Sequence, residues 1–401
     1  MTGTHEVHAQ ELDALLLLGL RKHVFPGAVC AVGRLIDGLP GSPRARFADP
    51  RSGPALSDSS DASRGTTIPC ARFFGKAGRL APGEAAVTGS TPYDLASLTK
   101  PFVATAALRL AQRGSIDLQA PIWQVLPELE RTHGGESTLA LLLAHRSGLT
   151  AWAPLYEELA GTPGSAEQKR AMLQAAATRV DESVRPGQSL YSDLGYLLAG
   201  ETLARATGVP LDELVRREVL LPLGLDGQIF YAASLPDAQR AELRERVAPT
   251  EACTVRGRLL RGEVHDENCY AFGGVSGHAG LFGTADAVLR FGLALLTALE
   301  GRSSWLDQAL LRWALLPRGE GYVVGWDTKS AEASSAGEQF SPHSFGHLGF
   351  TGTSIWCDPT RRLCAVLLSN RVHPTRENVA IRAFRPRFHD AAAEFVFTPR
   401  A

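Results

Sequence analysis

Ser97 and Lys100 stand three residues apart in 93-YDLASLTKPFVA-104, at the mouth of an apolar run. Side chains three apart on a helix meet on one face, and a serine hydroxyl becomes an effective nucleophile only with a base in hydrogen-bond reach. Lysine can be that base once burial pushes it towards neutrality, whereas arginine does not give up its proton in a protein. Residue usage sharpens the point. Of 41 Lys+Arg, only Lys22, Lys76, Lys100, Lys169 and Lys329 are lysine, so positive charge in this chain is ordinarily supplied by arginine. Pro101 is tolerated only near a helix start, which sets the beginning of the helix, and the positive end of its dipole, beside Ser97.

Two later stretches carry further candidates. In 186-PGQSLYSDLGYLLAGETL-203, Tyr191 and Asp193 occupy a turn opening an apolar helix. In 346-GHLGFTGTSIW-356, Gly349 and Gly352 let backbone approach a ligand closely. S-x-x-K, then Tyr-x-Asp, then His-x-Gly, in this order, resembles the serine β-lactamase and penicillin-binding-protein superfamily. The likeness is nearest to its class C-like branch, with family VIII carboxylesterases, D-aminopeptidases and DD-peptidases. It extends to 139-LALLLAHRSGLTAW-152 and 273-GGVSGHAGLFGTADAVLRFG-292.

The resemblance implies that Ser97 is the acylated nucleophile and Lys100 its proton-transfer partner. Tyr191 shares the base role as a phenolate-like group and protonates the leaving group. The backbone N–H groups of Ser97 and Phe350 form the oxyanion hole. It also implies that His278 lines the cleft with Gly349, and Trp152, with Tyr156 and Trp326, is a candidate acyl-binding wall. Two positions depart from the family pattern. His347 stands where lysine is frequent, weakening a fixed positive charge. Asp193 stands where asparagine is usual; an ionised aspartate only accepts hydrogen bonds and, near Lys100, favours the charged lysine. Both changes point away from β-lactams and D-Ala-D-Ala peptides, towards a neutral or cationic ester or amide.

Composition narrows the alternatives. A formal charge of -1 without a long like-charge run gives no footprint for nucleic acid or an anionic membrane. No G-x-S-x-G, H-E-x-x-H or P-loop occurs. The run 261-RGEVHDENCYAF-272 reads as a polar loop rather than a metal cluster, because consecutive residues rarely converge on one ion. The expectation is a metal-independent, cofactor-free serine hydrolase acting on a small-molecule ester or amide, as a monomer or homodimer. A DD-carboxypeptidase, a β-lactamase or an acyltransferase is the alternative on the same site, and a catalytically silent scaffold is the alternative of another class. Six scattered cysteines read as free thiols of a reducing compartment. Near the N-terminus acids precede the apolar run and bases follow it, the reverse of an export signal, which predicts a cytoplasmic protein.

The elements that must position these residues follow from periodicity. Strand character at 27–36, 71–80, 321–326, 345–358 and 363–370 flanks helical patterns at 97–113, 138–145, 167–180, 193–207, 210–219 and 285–299, with a last helix over 377–395. This is an α+β layout. An antiparallel sheet drawn from both chain ends (1–96 and 300–401) adjoins a mainly helical part (97–299), with the active site between them. Residues 37–69, rich in Gly, Pro, Ser and Asp, read as a flexible loop.

Overall fold

The computed structural model describes residues 3–36, 70–159, 161–185, 187–317, 319 and 321–395. The loop expected over 37–69 lies outside them. The main sheet has seven strands: β1 (Gly27–Leu35), β2 (Cys70–Gly78), β3 (Tyr322–Val323), β4 (Trp326–Thr328), β5 (Phe345–Leu348), β6 (Ser354–Asp358) and β7 (Leu363–Ser369). Their order is β2-β1-β7-β6-β5-β4-β3 and every pairing is antiparallel. The N-terminal hairpin therefore pairs directly with the C-terminal strand, Ala28 opposite Ser369 and Arg34 opposite Leu363.

Both faces of this sheet are covered, which is why its central strands read as unbroken apolar runs. Along β1, Ala28, Cys30 and Val32 enter one core with α1 (Gly3–Arg21) and a C-terminal helix, while Val29 and Ala31 enter the larger core shared with the helices. Leu363, Ala365 and Leu367 of β7 alternate with Cys364, Val366 and Leu368 in the same way. Successive side chains of a strand point to opposite faces, so one strand feeds both cores.

Four further helices place the site: α2 (Thr99–Gln112), α3 (Asp193–Thr207), α4 (Ala285–Leu299) and α5 (Ile381–Glu394). The sequence division at residue 299 assigns α4 to the helical part, but this helix packs on the sheet. A Cβ on Gly292 would come within 3.0 Å of Cys357 Sγ, and one on Gly33 within 3.0 Å of Leu293. Two expected strands are each broken in two. At 321–326 the chain turns back at Gly325, whose φ of +87 favours glycine, giving the β3–β4 hairpin. At 345–358 the break falls between β5 and β6, at residues 349–353.

Candidate active site

The nucleophile candidate is presented by a short, strained approach. Tyr93–Asp94 pairs with Leu281–Gly283, and the chain then turns tightly through Ala96–Leu98 into α2. Ala96 has φ +47, a left-handed conformation that costs a non-glycine residue about 1–3 kcal/mol. The Asp94 side chain offsets this. Its Oδ1 accepts from Ala96 N at 2.8 Å and its Oδ2 from His265 N at 2.7 Å. Burial pushes the Asp94 carboxyl up, and those two backbone donors oppose the shift.

Lys100, the second residue of α2, is 0% exposed and meets four oxygens. Its Nζ lies 2.9 Å from Ser97 Oγ, 2.7 Å from Tyr191 OH, 2.6 Å from Asp193 Oδ1 and 3.2 Å from the His278 carbonyl. Tyr191 OH in turn donates to Ser97 Oγ at 2.7 Å, closing a triangle. Burial lowers the Lys100 pKa, while the Asp193 carboxylate raises it; the net direction is down. Burial also raises Tyr191 well above its ordinary value, and the Asp193 charge adds to that. Both shifts favour neutral groups. They favour a neutral phenol over the phenolate-like Tyr191 that the resemblance implies, because a buried anion beside Asp193 is doubly disfavoured.

Tyr191 and Asp193 are fixed from both sides. Leu190 N donates to the His145 carbonyl at 2.8 Å and Ser192 N to His145 Nδ1 at 2.9 Å, while the His145 ring lies 4.6 Å from the Tyr191 ring. Ser192 caps α3, its Oγ accepting from Gly195 N at 3.1 Å. Asp193 thus begins the helix, where the dipole favours an acid, and its own N–H donates to Ala151 O at 2.9 Å.

The third wall is the turn between β5 and β6. Thr351 Oγ1 donates to Asp94 O at 2.7 Å and Thr353 Oγ1 to Leu95 O at 3.1 Å, binding the turn to the segment before Ser97. Gly349 has no space for a side chain: a Cβ would lie 2.6 Å from Leu95 O. Arg385 donates to the Gly349 and Thr353 carbonyls at 2.6 and 2.8 Å, and Arg371 Nε to Phe350 O at 2.8 Å. These tethers orient the peptide that carries the Phe350 N–H, for which no acceptor is found among the described residues. Phe350 itself is 50% exposed at the rim. His347, 2% exposed, donates from Nδ1 to Leu348 O at 2.9 Å. Burial, with Lys100 nearby, lowers its pKa from 6.5 to about 3, so it is neutral at physiological pH.

A profile of the Beta-lactamase family matches residues 71–386, a span that includes every residue of this constellation. The chain belongs to the beta-lactamase family. It is 30% identical over 309 residues to an N-acetylmuramyl-L-alanine amidase of Bacillus subtilis strain 168, covering 71% of this chain and 68% of that one. Two solved structures share the fold at 18% and 19% identity. EstCE1, a hydrolase with promiscuous acyltransferase activity, superposes with a TM-score of 0.69 over 97% of this chain and 99% of its own. The D-amino acid amidase of Ochrobactrum anthropi does so with a TM-score of 0.64 over 96% and 98%. This beta-lactamase-family chain is a serine hydrolase.

Other residues of this beta-lactamase-family protein fall where sequence reasoning was less informative. The His278 ring is buried, bonded to Ser276 Oγ and Asp266 Oδ1 at 2.8 Å each, and its carbonyl reaches Lys100. Trp326 is no acyl wall, being packed in the core against Phe291 and Phe345. Trp152 is 47% exposed and adjoins Ala151, the acceptor for Asp193 N. Within the polar loop, Asn268 donates to Ala153 O at 2.8 Å and accepts from Tyr156 N at 3.1 Å. Glu251, Cys253 and Glu267 bring donor atoms within 4.8 Å of one another, and Arg376 bonds both of those carboxylates. Among the described residues no helix is long and apolar enough to cross a membrane.

Asp94, Arg371 and Arg385 escaped the sequence reading altogether. No local spacing marks them, since each acts on a segment remote in the chain or on backbone alone. His145 left a weak signal, being the histidine of the HRSG turn.

Proposed function

We propose that this serine hydrolase is an esterase or amidase that works through an acyl-enzyme on Ser97. The observation that carries the reading is the closed triangle of Ser97, Lys100 and Tyr191 around a fully buried lysine. A neutral Lys100 takes the Ser97 proton as Oγ attacks the substrate carbonyl. The neutral Tyr191 phenol, within 2.7 Å of both Lys100 Nζ and Ser97 Oγ, relays that proton to the departing amine or alkoxide. Water then reverses the sequence and releases the acid. The N–H groups of Ser97 and Phe350 receive the developing oxyanion, an arrangement in which each donor typically contributes a few kcal/mol.

The preferred substrate lacks a carboxylate beside the scissile bond. A neutral His347 gives no fixed positive charge where the family frequently has lysine, and this supports esters and amides over β-lactams and carboxy-terminal D-Ala-D-Ala. The name of the Bacillus subtilis amidase supports the amide side of the reading. Free cysteines throughout the described chain support a reducing, cytoplasmic setting. Comparing turnover of 4-nitrophenyl acetate with that of a cephalosporin tests the assignment. The ester is expected to be hydrolysed with a Ser97 acyl-enzyme visible by intact mass. Faster cephalosporin hydrolysis, or no ester hydrolysis, would overturn it.

A further inference from the structure

A small cavity of about 160 Å³ opens beside Tyr191, lined by Tyr191, Tyr322, Asp327, His347 and Leu348. Asp327 lies on β4, between Tyr322 of β3 and Gly346 of β5, one strand in from the edge of the main sheet. Two of the lining side chains offer an acceptor and have no N–H or O–H of their own to spare. The His347 ring is neutral and spends its one N–H on Leu348 O, so Nε2 carries a lone pair. That nitrogen is buried and has no partner among the described residues. The Asp327 carboxylate is the second acceptor; it receives the Thr328 backbone N–H, and no lysine or arginine among the described residues pairs with it. Its pKa is raised by burial to about 6, which still leaves it largely ionised at neutral pH.

A half-buried carboxylate without a cation favours a positively charged partner, and a buried ring nitrogen without a donor is costly. One kind of group answers both: an alkylammonium, which brings positive charge and several N–H donors. Resting on the function proposed above, we propose that this cavity is the subsite for an ammonium group carried by the leaving group of the substrate, held by Asp327 and by His347 Nε2. The leaving-group side follows from Tyr191, which forms one wall of the cavity and is the group assigned to protonate the departing atom. A carboxylate in the same place would face Asp327 and gain nothing from His347. The substrate class is thereby sharpened to amides or esters whose leaving group bears a free amine a few bonds from the scissile bond.

The test compares N-(3-aminopropyl)phenylacetamide with N-butylphenylacetamide, which differ only in an ammonium against a methyl terminus. We expect kcat/KM to favour the amine by at least about tenfold in the natural enzyme, and Asp327→Asn to bring the ratio close to one. Taking the ratio within each variant cancels losses of folded protein. If amide turnover is too slow to follow, inhibition constants of the two amides against 4-nitrophenyl acetate hydrolysis replace kcat/KM. A ratio near or below one in the natural enzyme, or an undiminished ratio in Asp327→Asn, would overturn the subsite. An enzyme that hydrolyses 4-nitrophenyl acetate yet ignores the amine loses only this inference, whereas one inert to the ester loses the acyl-enzyme reading.

Discussion

Lys100 Nζ and Asp193 Oδ1 lie 2.6 Å apart, with the lysine wholly buried on the first turn of one helix and the aspartate opening another. Two opposed influences act on the proposed base: burial lowers the lysine pKa and the carboxylate raises it. Asp193→Asn keeps an acceptor at that position and removes the charge. The acidic limb of the kcat/KM profile for 4-nitrophenyl acetate should therefore move to lower pH, as the lysine loses its proton more readily. A limb that stays in place, or moves up, would show that Lys100 is not the group titrating.

Lys100→Arg keeps positive charge opposite Asp193 but cannot deliver a base. Acylation of Ser97, followed by intact mass with a fluorophosphonate or an aryl ester, should fall by about 10²–10⁴-fold, the usual contribution of a positioned base. Circular dichroism should report a retained fold. Near-normal acylation would remove lysine from the mechanism.

Gly349→Ala probes the oxyanion wall without touching the triangle. Its Cβ would meet Leu95 O at 2.6 Å and crowd Thr353, forcing the turn that bears Phe350 away from the Ser97 segment. Loss of one oxyanion donor costs about 10²-fold in kcat, so kcat should drop by roughly that factor with KM changing less. An unchanged kcat would argue that this turn does not supply the donor.

Acid should destabilise the fold through its buried histidines. His347 and His389 are both lowered by burial from 6.5 to about 3, and His145 is lowered well below 6.5. Between pH 3 and 6.5 the unfolded chain binds protons at these rings and the folded chain does not. Stability is thus fully present above about 6.5 and is lost as pH falls towards 3, each ring contributing at most about 1.4 kcal/mol per pH unit. Denaturant midpoints measured from pH 7 to 4 should fall steadily; a flat profile would mean that these rings protonate in the folded state.

The sequence by itself determined the chemistry and much of the scaffold. Ser97 and Lys100 are local neighbours, so three-residue spacing at a helix start was sufficient to bring them to one face. Apolar runs such as 27–35 and 363–369 announced buried strands because both of their faces meet a core. What spacing could not supply was the state of groups brought together from afar. The neutrality of His347 and of the Tyr191 phenol depends on burial among residues up to hundreds of positions away. So does the partnerless lone pair of His347 beside Asp327. The break of 345–358 into two strands was also hidden, because its cause lies in contacts from Thr351 and Thr353 to Asp94 and Leu95. A local pattern encodes which face a side chain takes. Only the closed tertiary structure fixes how much water that side chain keeps and which charges share its surroundings, and these decide protonation and the kind of substrate the site can hold.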